Sequence, residues 1–248
     1  MDVLEKIIDK LDGSYVVKEA VKGLYWTAIV SKNCGLASTM LQDCKIHDEE
    51  EDSYIGSIEG TSAKTIAKFA LSNEIKKASW GLAAINSLIE VDEEDCKELN
   101  AGDFLLEKAK DKNISIIGHF PFVDSLKRFA KNLWVIEKWP RAGDYSAESA
   151  KDFLPQSDVI AISSTTLINK TFEELIKMCP TKSFKLLLGP TTPMDKVLFD
   201  YGIDAISGSV VHNVETTLRY IKEGANFRIL KRTGSIKLLT MFKDNIYI

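Results

Sequence analysis

The sequence predicts an α/β protein: a parallel sheet with helices on both faces, preceded by a smaller α+β domain. Three observations predict it. From about residue 100, short apolar runs rich in β-branched residues alternate with helical stretches, the rhythm of successive βαβ units whose strands are buried on both faces. Before that point two strand-like runs precede two helix-like ones, an α+β order. Between the halves lies EVDEEDCKELN, residues 90–100, acidic and poor in bulky apolar side chains. It marks a boundary between domains at 1–98 and 99–248.

The chain opens on MDVLEKIIDKL, where Leu4, Ile7, Ile8 and Leu11 recur at helical spacing between charges. That is an amphipathic helix rather than a secretory leader, which needs a basic start and an apolar run. Tyr15–Lys22 and Leu24–Ser31 read as strands joined by a hairpin at Gly23. CGLAST (34–39) follows, then an acidic stretch, HDEEED, beginning at His47. Cys44-Lys45-Ile46-His47 is the nearest approach to a metal pattern, but a closed zinc site takes four ligands, so a solvated acidic loop is expected. Thr61 caps a helix through Leu71, and a second helix spans 73–90. In it Ile75, Ala78, Leu82, Ile85 and Ile89 form one apolar stripe that Asn86 interrupts. A buried amide needs partners, so Asn86 either ties down neighbouring backbone or faces a cleft.

In the second half the expected strands are Ile114–Gly118, Leu133–Glu137, Val159–Ser163, Lys185–Gly189 and Ala205–Gly208. Helical stretches fall near 123–131, 146–154, 171–178, 194–201 and 213–223. Thr171 with Glu174 fits a capping box, Thr192-Pro193 an N-cap with proline in the first turn, and Asn213 a cap for the last helix. FRILKR-TGS-IKLLTMF, after Gly224, reads as a hairpin or added edge strands.

Composition narrows the function. The 248 residues are 45% hydrophobic and 27% charged, and 32 Lys+Arg against 36 Asp+Glu give a net charge of −4, without the basic face of a nucleic-acid binder. No apolar run approaches the roughly 20 residues that span a bilayer. Four cysteines without a C-x-x-C pair fit reduced thiols, and a cytoplasmic location is expected. No nucleophile elbow, Walker loop, H-E-x-x-H or EF-hand loop is present, and no catalytic triad can be argued.

In an open parallel sheet the loops at the carboxyl ends of the strands form the binding crevice. Here they read GHFPF, SSTTLINKTFEE, GPTTPMD and GSVVHN, four loops that run quickly into helix starts and carry many hydroxyls. Helix N-termini on one rim suit an anionic ligand, although any single hydroxyl at such a junction is more often a cap. Glu137, 19 residues after Gly118, stands where a Rossmann domain places its ribose-binding acid. The first loop argues against a dinucleotide: Phe120 and Pro121 replace the glycines that let backbone approach a pyrophosphate. His119 at a strand end is a candidate proton donor or ligand contact.

These residues resemble a known family. GHFPF (118–122), Glu137, Pro140, Gly143-Asp144, Leu154-Pro155, Ser157-Asp158, SSTTLINKT (163–171), LLGPTTPM (187–194), Gly202-Ile203-Asp204 and Ser207-Gly208-Ser209 are together similar to the heavy-metal chelation family designated domain of unknown function 364. CGLAST (34–39) and GLAAINSL (81–88) resemble its usual N-terminal partner, domain of unknown function 4213. The resemblance implies an enolase-N-terminal-like α+β domain joined to a Rossmann-like domain, with a shared cleft and a role tied to metals or metal complexes. A chelate or an anionic chelator suits a donor-rich rim with one histidine better than a bare ion does.

The resulting expectation is a protein that binds a small anionic ligand or metal chelate between its domains. His119 and Glu137 are the chemical groups. Gly118, Phe120, Pro121, Asp144, Thr165, Thr166, Asn169, Gly189, Pro190, Gly208 and Ser209 line the site, with Asn86 and Gly35 from the first domain. The alternative is a lyase or transferase holding a nucleotide or S-adenosylmethionine at the same crevice. Neither reading calls for a nucleic-acid or membrane partner, and homo-oligomerisation is left open.

Overall fold

The computed structural model describes residues 2–40 and 54–243; Cys44, His47 and the acidic stretch lie outside them. In chain order, α1 (Val3–Lys10) precedes β1 (Glu19–Lys22), β2 (Trp26–Val30) and β3 (Cys34–Ser38). Then come α2 (Ala63–Ala67), extended by a 3₁₀ turn over Lys68–Leu71, and α3 (Ile75–Leu88). The alternating part runs β4 (Cys96–Lys97), α4 (Ala101–Lys108), β5 (Asn113–Ile117), α5 (Val123–Leu126), β6 (Asn132–Glu137), β7 (Tyr145–Ser146) and α6 (Ala150–Phe153). It continues with β8 (Val159–Ser163), α7 (Thr165–Ile168), α8 (Phe172–Met178), β9 (Phe184–Leu188), α9 (Val197–Asp200) and β10 (Ala205–Val211). The last elements are α10 (Val214–Lys222), α11 (Phe227–Arg232) and β11 (Ile236–Phe242).

These elements form two compact units. One comprises 1–92, 190–197 and 208–238; the other comprises 93–189, 198–207 and 239–248. In the first, β1, β2 and β3 pair antiparallel in that order. Both faces of this small sheet are covered. On one, Trp26, Ala28, Cys34 and Leu36 pack with Leu218 and Ile221 of α10, Leu230 of α11 and Ile236. On the other, Gly35 lies directly against the α3 backbone at Ala83 and Ser87. Two-sided burial explains why β2 and β3 read as continuous apolar runs rather than alternating ones. Each large side chain so buried contributes about 1.5–3 kcal/mol.

The second unit holds most of an eight-stranded, mostly parallel sheet flanked by helices, in the order β4-β11-β10-β9-β8-β5-β6-β7. From β5 to β10 the neighbouring strands pair in parallel. Counted from β5 in chain order, these strands run 3-2-1-4-5-6, the doubly wound order. The reversal falls between β5 and β8. Ile114, Ile116, Val159, Ala161, Leu186 and Leu188 form the sheet's core with Phe104, Leu105, Val123 and Leu126.

The expected α/β class is therefore the observed one. Val159–Ser163 is reproduced residue for residue, and α8 and α10 lie where periodicity puts them. Several expectations fail for identifiable reasons. Residues 15–18 precede β1, and CGLAST supplies a third strand. α3 is buried almost all round rather than along one stripe, because α2 with its 3₁₀ turn packs on the side opposite β3: Gly81 meets the backbone of Ala70. Ser62, not Thr61, precedes α2. The stretches near 123–131, 146–154 and 194–201 contain helices of four residues each. Thr192-Pro193 lies ahead of any helix, and Asp195 instead accepts the Val197 N–H at 2.8 Å. Thr171 occupies the N-cap position of α8 without the capping bond; its hydroxyl donates to Asn169 Oδ1 at 2.7 Å. The tail forms α11 and then β11, since Asn226 caps a helix by accepting from Ile229 N–H. Asn213 caps α10 as expected, through Thr216 N–H at 2.9 Å.

Residues 1–98 alone leave Trp26 and Leu36 without α10 and α11. Such a fragment is expected to lack a cooperative urea transition that the full chain shows; cooperative unfolding of the fragment would contradict the observed core.

Candidate functional site

In a doubly wound sheet the crevice opens at the carboxyl ends of the strands where the order reverses. Here those strands are β5 and β8, and the loops beyond them meet. Gly118, immediately after β5, has φ +104° and donates its N–H to Ile136 O at 2.9 Å. A Cβ at Gly118 would stand 3.0 Å from Ser163 Cβ, at the end of β8, and 3.3 Å from the Phe120 ring. Glycine is needed both for the positive φ and for this approach.

His119 follows, held at two points. Its backbone N–H donates to Glu137 Oε1 at 2.7 Å, and its Nδ1 lies 3.0 and 3.2 Å from the Asp144 carboxylate oxygens. Glu137 ends β6, and its second oxygen accepts the Lys138 N–H at 3.1 Å. Asp144 ends a turn through Gly143 (φ +91°) and accepts the Arg141 N–H at 3.1 Å. Its side chain is only 4% exposed, whereas that of His119 is 24% exposed. Asp144 is thus buried behind the ring, while the ring reaches solvent. One carboxylate, Asp144, faces the imidazole, and the other, Glu137, holds the backbone N–H of the same residue.

The bulky residues of GHFPF have a packing role. Phe120 and Phe122 stack with centroids 5.2 Å apart and planes 8° apart, and Phe122 lies against Gly102 of α4. Both pack against the sheet core, and Pro121 is exposed. The aromatic pair anchors the β5 loop to α4 where a nucleotide-binding loop would keep bare backbone.

Across the reversal, Ser163 Oγ and Thr165 Oγ1 form a hydroxyl pair at 2.8 Å, and Thr166 Oγ1 donates to Ser163 O at 2.7 Å. Asn169 Oδ1 accepts from the Thr171 hydroxyl and backbone, stabilising the turn at Lys170, whose φ is +65°. Gly189 (φ +127°) follows β9 and lies against Ser164 Oγ. Gly118, His119, Glu137, Asp144, Ser163 and Thr165 are therefore one connected constellation. Thr166, Asn169 and Gly189 shape its margin.

The remaining expected residues belong to the other unit. Asn86 Nδ2 donates to Leu36 O at 2.8 Å and Thr191 O at 3.0 Å, tying β3 and the 190–197 segment to α3. Gly35 provides the close approach of β3 to the same helix. Gly208 fits against Met194, and Ser209 Oγ donates to Pro190 O at 3.5 Å.

Helix dipoles contribute less here than the loops suggest. α5 and α7 have four residues each and α8 seven, too short to develop a full macrodipole. Cysteine chemistry is also weak: burial pushes the Cys34 thiol up to about 12 and that of Cys179 to about 11, so neither offers a thiolate near neutrality. Among the described residues no three His, Cys, Asp or Glu side chains converge to hold a metal ion.

Residues 100–240 match the model of domain of unknown function 364, described as "Putative heavy-metal chelation". The chain belongs to this family. Residues 4–89 match a second model with the same description, domain of unknown function 4213. An uncharacterized protein of Methanocaldococcus jannaschii is 28% identical over 222 residues, covering 85% of this chain and 82% of the relative. Two crystal structures of family members of unknown function share the fold. One, from Desulfitobacterium hafniense, has a TM-score of 0.85 at 24% identity; the other, from Pyrococcus horikoshii, has 0.82 at 22%. Each alignment covers 97% of this chain and 98% of the other.

Gly35→Ala would drive a methyl into the α3 backbone at Ala83 and Ser87. The expected cost is about 2–3 kcal/mol in urea unfolding, by overpacking against backbone that cannot yield. A change within about 0.5 kcal/mol, the range of ordinary surface substitutions, would remove the close approach from the account.

Proposed function

We propose that the chain binds a small metal chelate or anionic chelator at the reversal between β5 and β8, with His119 as its principal contact. One observation carries this reading. His119 Nδ1 faces the buried Asp144 carboxylate, which turns Nε2, the other ring nitrogen, into the group left for a ligand. The hydroxyl pair of Ser163 and Thr165, across the reversal, leaves one O–H to donate to a carboxylate or hydroxyl of a chelator. A resident bare ion does not fit these donors, since the flanking carboxylates are taken up by N–H groups and no third ligating side chain joins His119 among the described residues. A metal that arrives with its own ligands does fit, and the family's description is consistent with such cargo. The cargo is treated as substrate rather than as a built-in cofactor.

The enzymatic alternative, with a nucleotide or S-adenosylmethionine, depends on Glu137 as a ribose ligand. Both of its oxygens instead accept backbone N–H groups of the His119 loop and Lys138, which favours a supporting role.

Calorimetric titration with copper(II) and nickel(II) complexes of citrate and nitrilotriacetate tests the reading. Wild-type protein is expected to bind at least one of them, and His119→Ala to weaken it by roughly 10-fold or more, the loss of one coordination or charge-assisted bond. Both proteins are compared well below their melting temperatures, because His119→Ala also leaves the buried Asp144 carboxylate without its imidazole partner. Equal affinity in the variant would remove His119 from the site.

A further inference from the structure

The following rests on the reading of His119 as the ligand contact. We infer that Asp144 is a positioning residue that keeps the proton of His119 on Nδ1, so that Nε2 is the one protein donor to a chelated transition metal.

A carboxylate only accepts hydrogen bonds, and both Asp144 oxygens lie within 3.2 Å of Nδ1. Nδ1 must therefore donate, and in the neutral ring the lone pair falls on Nε2. Asp144 has no freedom to turn away. Its side chain is 4% exposed, and Oδ2 also accepts the Arg141 N–H at 3.1 Å from the turn that carries it. The ring is constrained from the opposite end as well, because Glu137 Oε1 fixes the His119 backbone N–H. Backbone and imidazole are thus set before any ligand arrives.

The donor chemistry then selects the ligand class. A neutral imidazole is a borderline donor suited to copper, nickel, zinc or iron, and poorly suited to magnesium or calcium. A carboxylate behind the ring fixes the tautomer and orientation of a coordinating imidazole. Because the surrounding acids are engaged, His119 fills one coordination position and the chelator fills the others.

Two measurements on the full-length protein separate this inference from the broader reading. In protein labelled with ¹⁵N-histidine, long-range ¹H–¹⁵N correlation spectra of the neutral ring are expected to show His119 protonated at Nδ1 and bare at Nε2. Asp144→Ala should give a mixture of tautomers. Asp144→Asn puts an amide NH2, a donor, in the place of one of the two oxygens that face Nδ1, so it should move the ring proton to Nε2.

Copper(II) nitrilotriacetate, which leaves a coordination position open, is the binding probe. Electron paramagnetic resonance should show coupling to one imidazole nitrogen that His119→Ala abolishes. Its affinity should fall roughly 10–100-fold in Asp144→Ala and likewise in Asp144→Asn, whose amide leaves the proton on Nε2. A wild-type ring protonated at Nε2, or copper affinity unchanged in Asp144→Ala, overturns the inference. If Asp144→Ala does not fold, a ring still protonated at Nδ1 or unchanged copper affinity in Asp144→Asn overturns it instead. The expected tautomer without any copper binding would sink the coordination role and the functional reading while leaving Asp144's hold on the ring intact.

Discussion

β5 pairs in parallel on one side with β6, which follows it directly, and on the other with β8, which comes only after β6 and β7. That double pairing forces the strand order to reverse, and the rest of the larger unit depends on it. The reversal leaves the carboxyl ends of β5 and β8 uncovered by any crossover, because the connections leaving the two strands run in opposite directions. Burial of β5 on both faces, through Ile114, Ser115 and Ile116, makes the position rigid. Whatever side chain follows Gly118 is presented at that opening from a buried strand.

Several features read as consequences. With Gly118 pressed against Ser163, the next residue is delivered close to the β8 loop. The Phe120–Phe122 stack then ties the loop to α4 instead of leaving backbone exposed for a pyrophosphate. Glu137 and Asp144, from the end of β6 and the turn beyond it, close on the backbone and the ring of His119 respectively. The doubly wound strand order and its reversal are kept, while the loop after β5 carries bulky side chains. Where glycine backbone would lie in a phosphate loop, this loop carries one imidazole oriented by a buried carboxylate.

Much of this was legible in the sequence, and the exceptions have physical reasons. Strands buried on both faces, such as Val159–Ser163, announce themselves as short β-branched apolar runs. Helix lengths at the rim were harder to read. Thr171 has the sequence of a capping box, yet its hydroxyl finds Asn169 first, so a local side-chain bond outcompetes the cap. His119, Glu137 and Asp144 could each be named as candidates, but their mutual bonds span 18 and 25 residues and no periodicity encodes them. Asn86 and Gly35 carried a real signal, a polar residue and a glycine inside apolar elements. That signal reports packing: the one ties down backbone and the other admits a helix. The reach of α10 and α11 into the core around Trp26 was invisible, because it joins segments nearly 200 residues apart.

The central claim is that His119 Nε2 is the point at which a metal-bearing ligand attaches. A crystal of the full-length protein grown with copper(II) nitrilotriacetate, with data collected at the copper absorption edge, tests it most directly. The account predicts an anomalous peak about 2 Å from His119 Nε2, with the Asp144 carboxylate still on Nδ1. A copper peak elsewhere on the protein, with His119 uncoordinated, would contradict it.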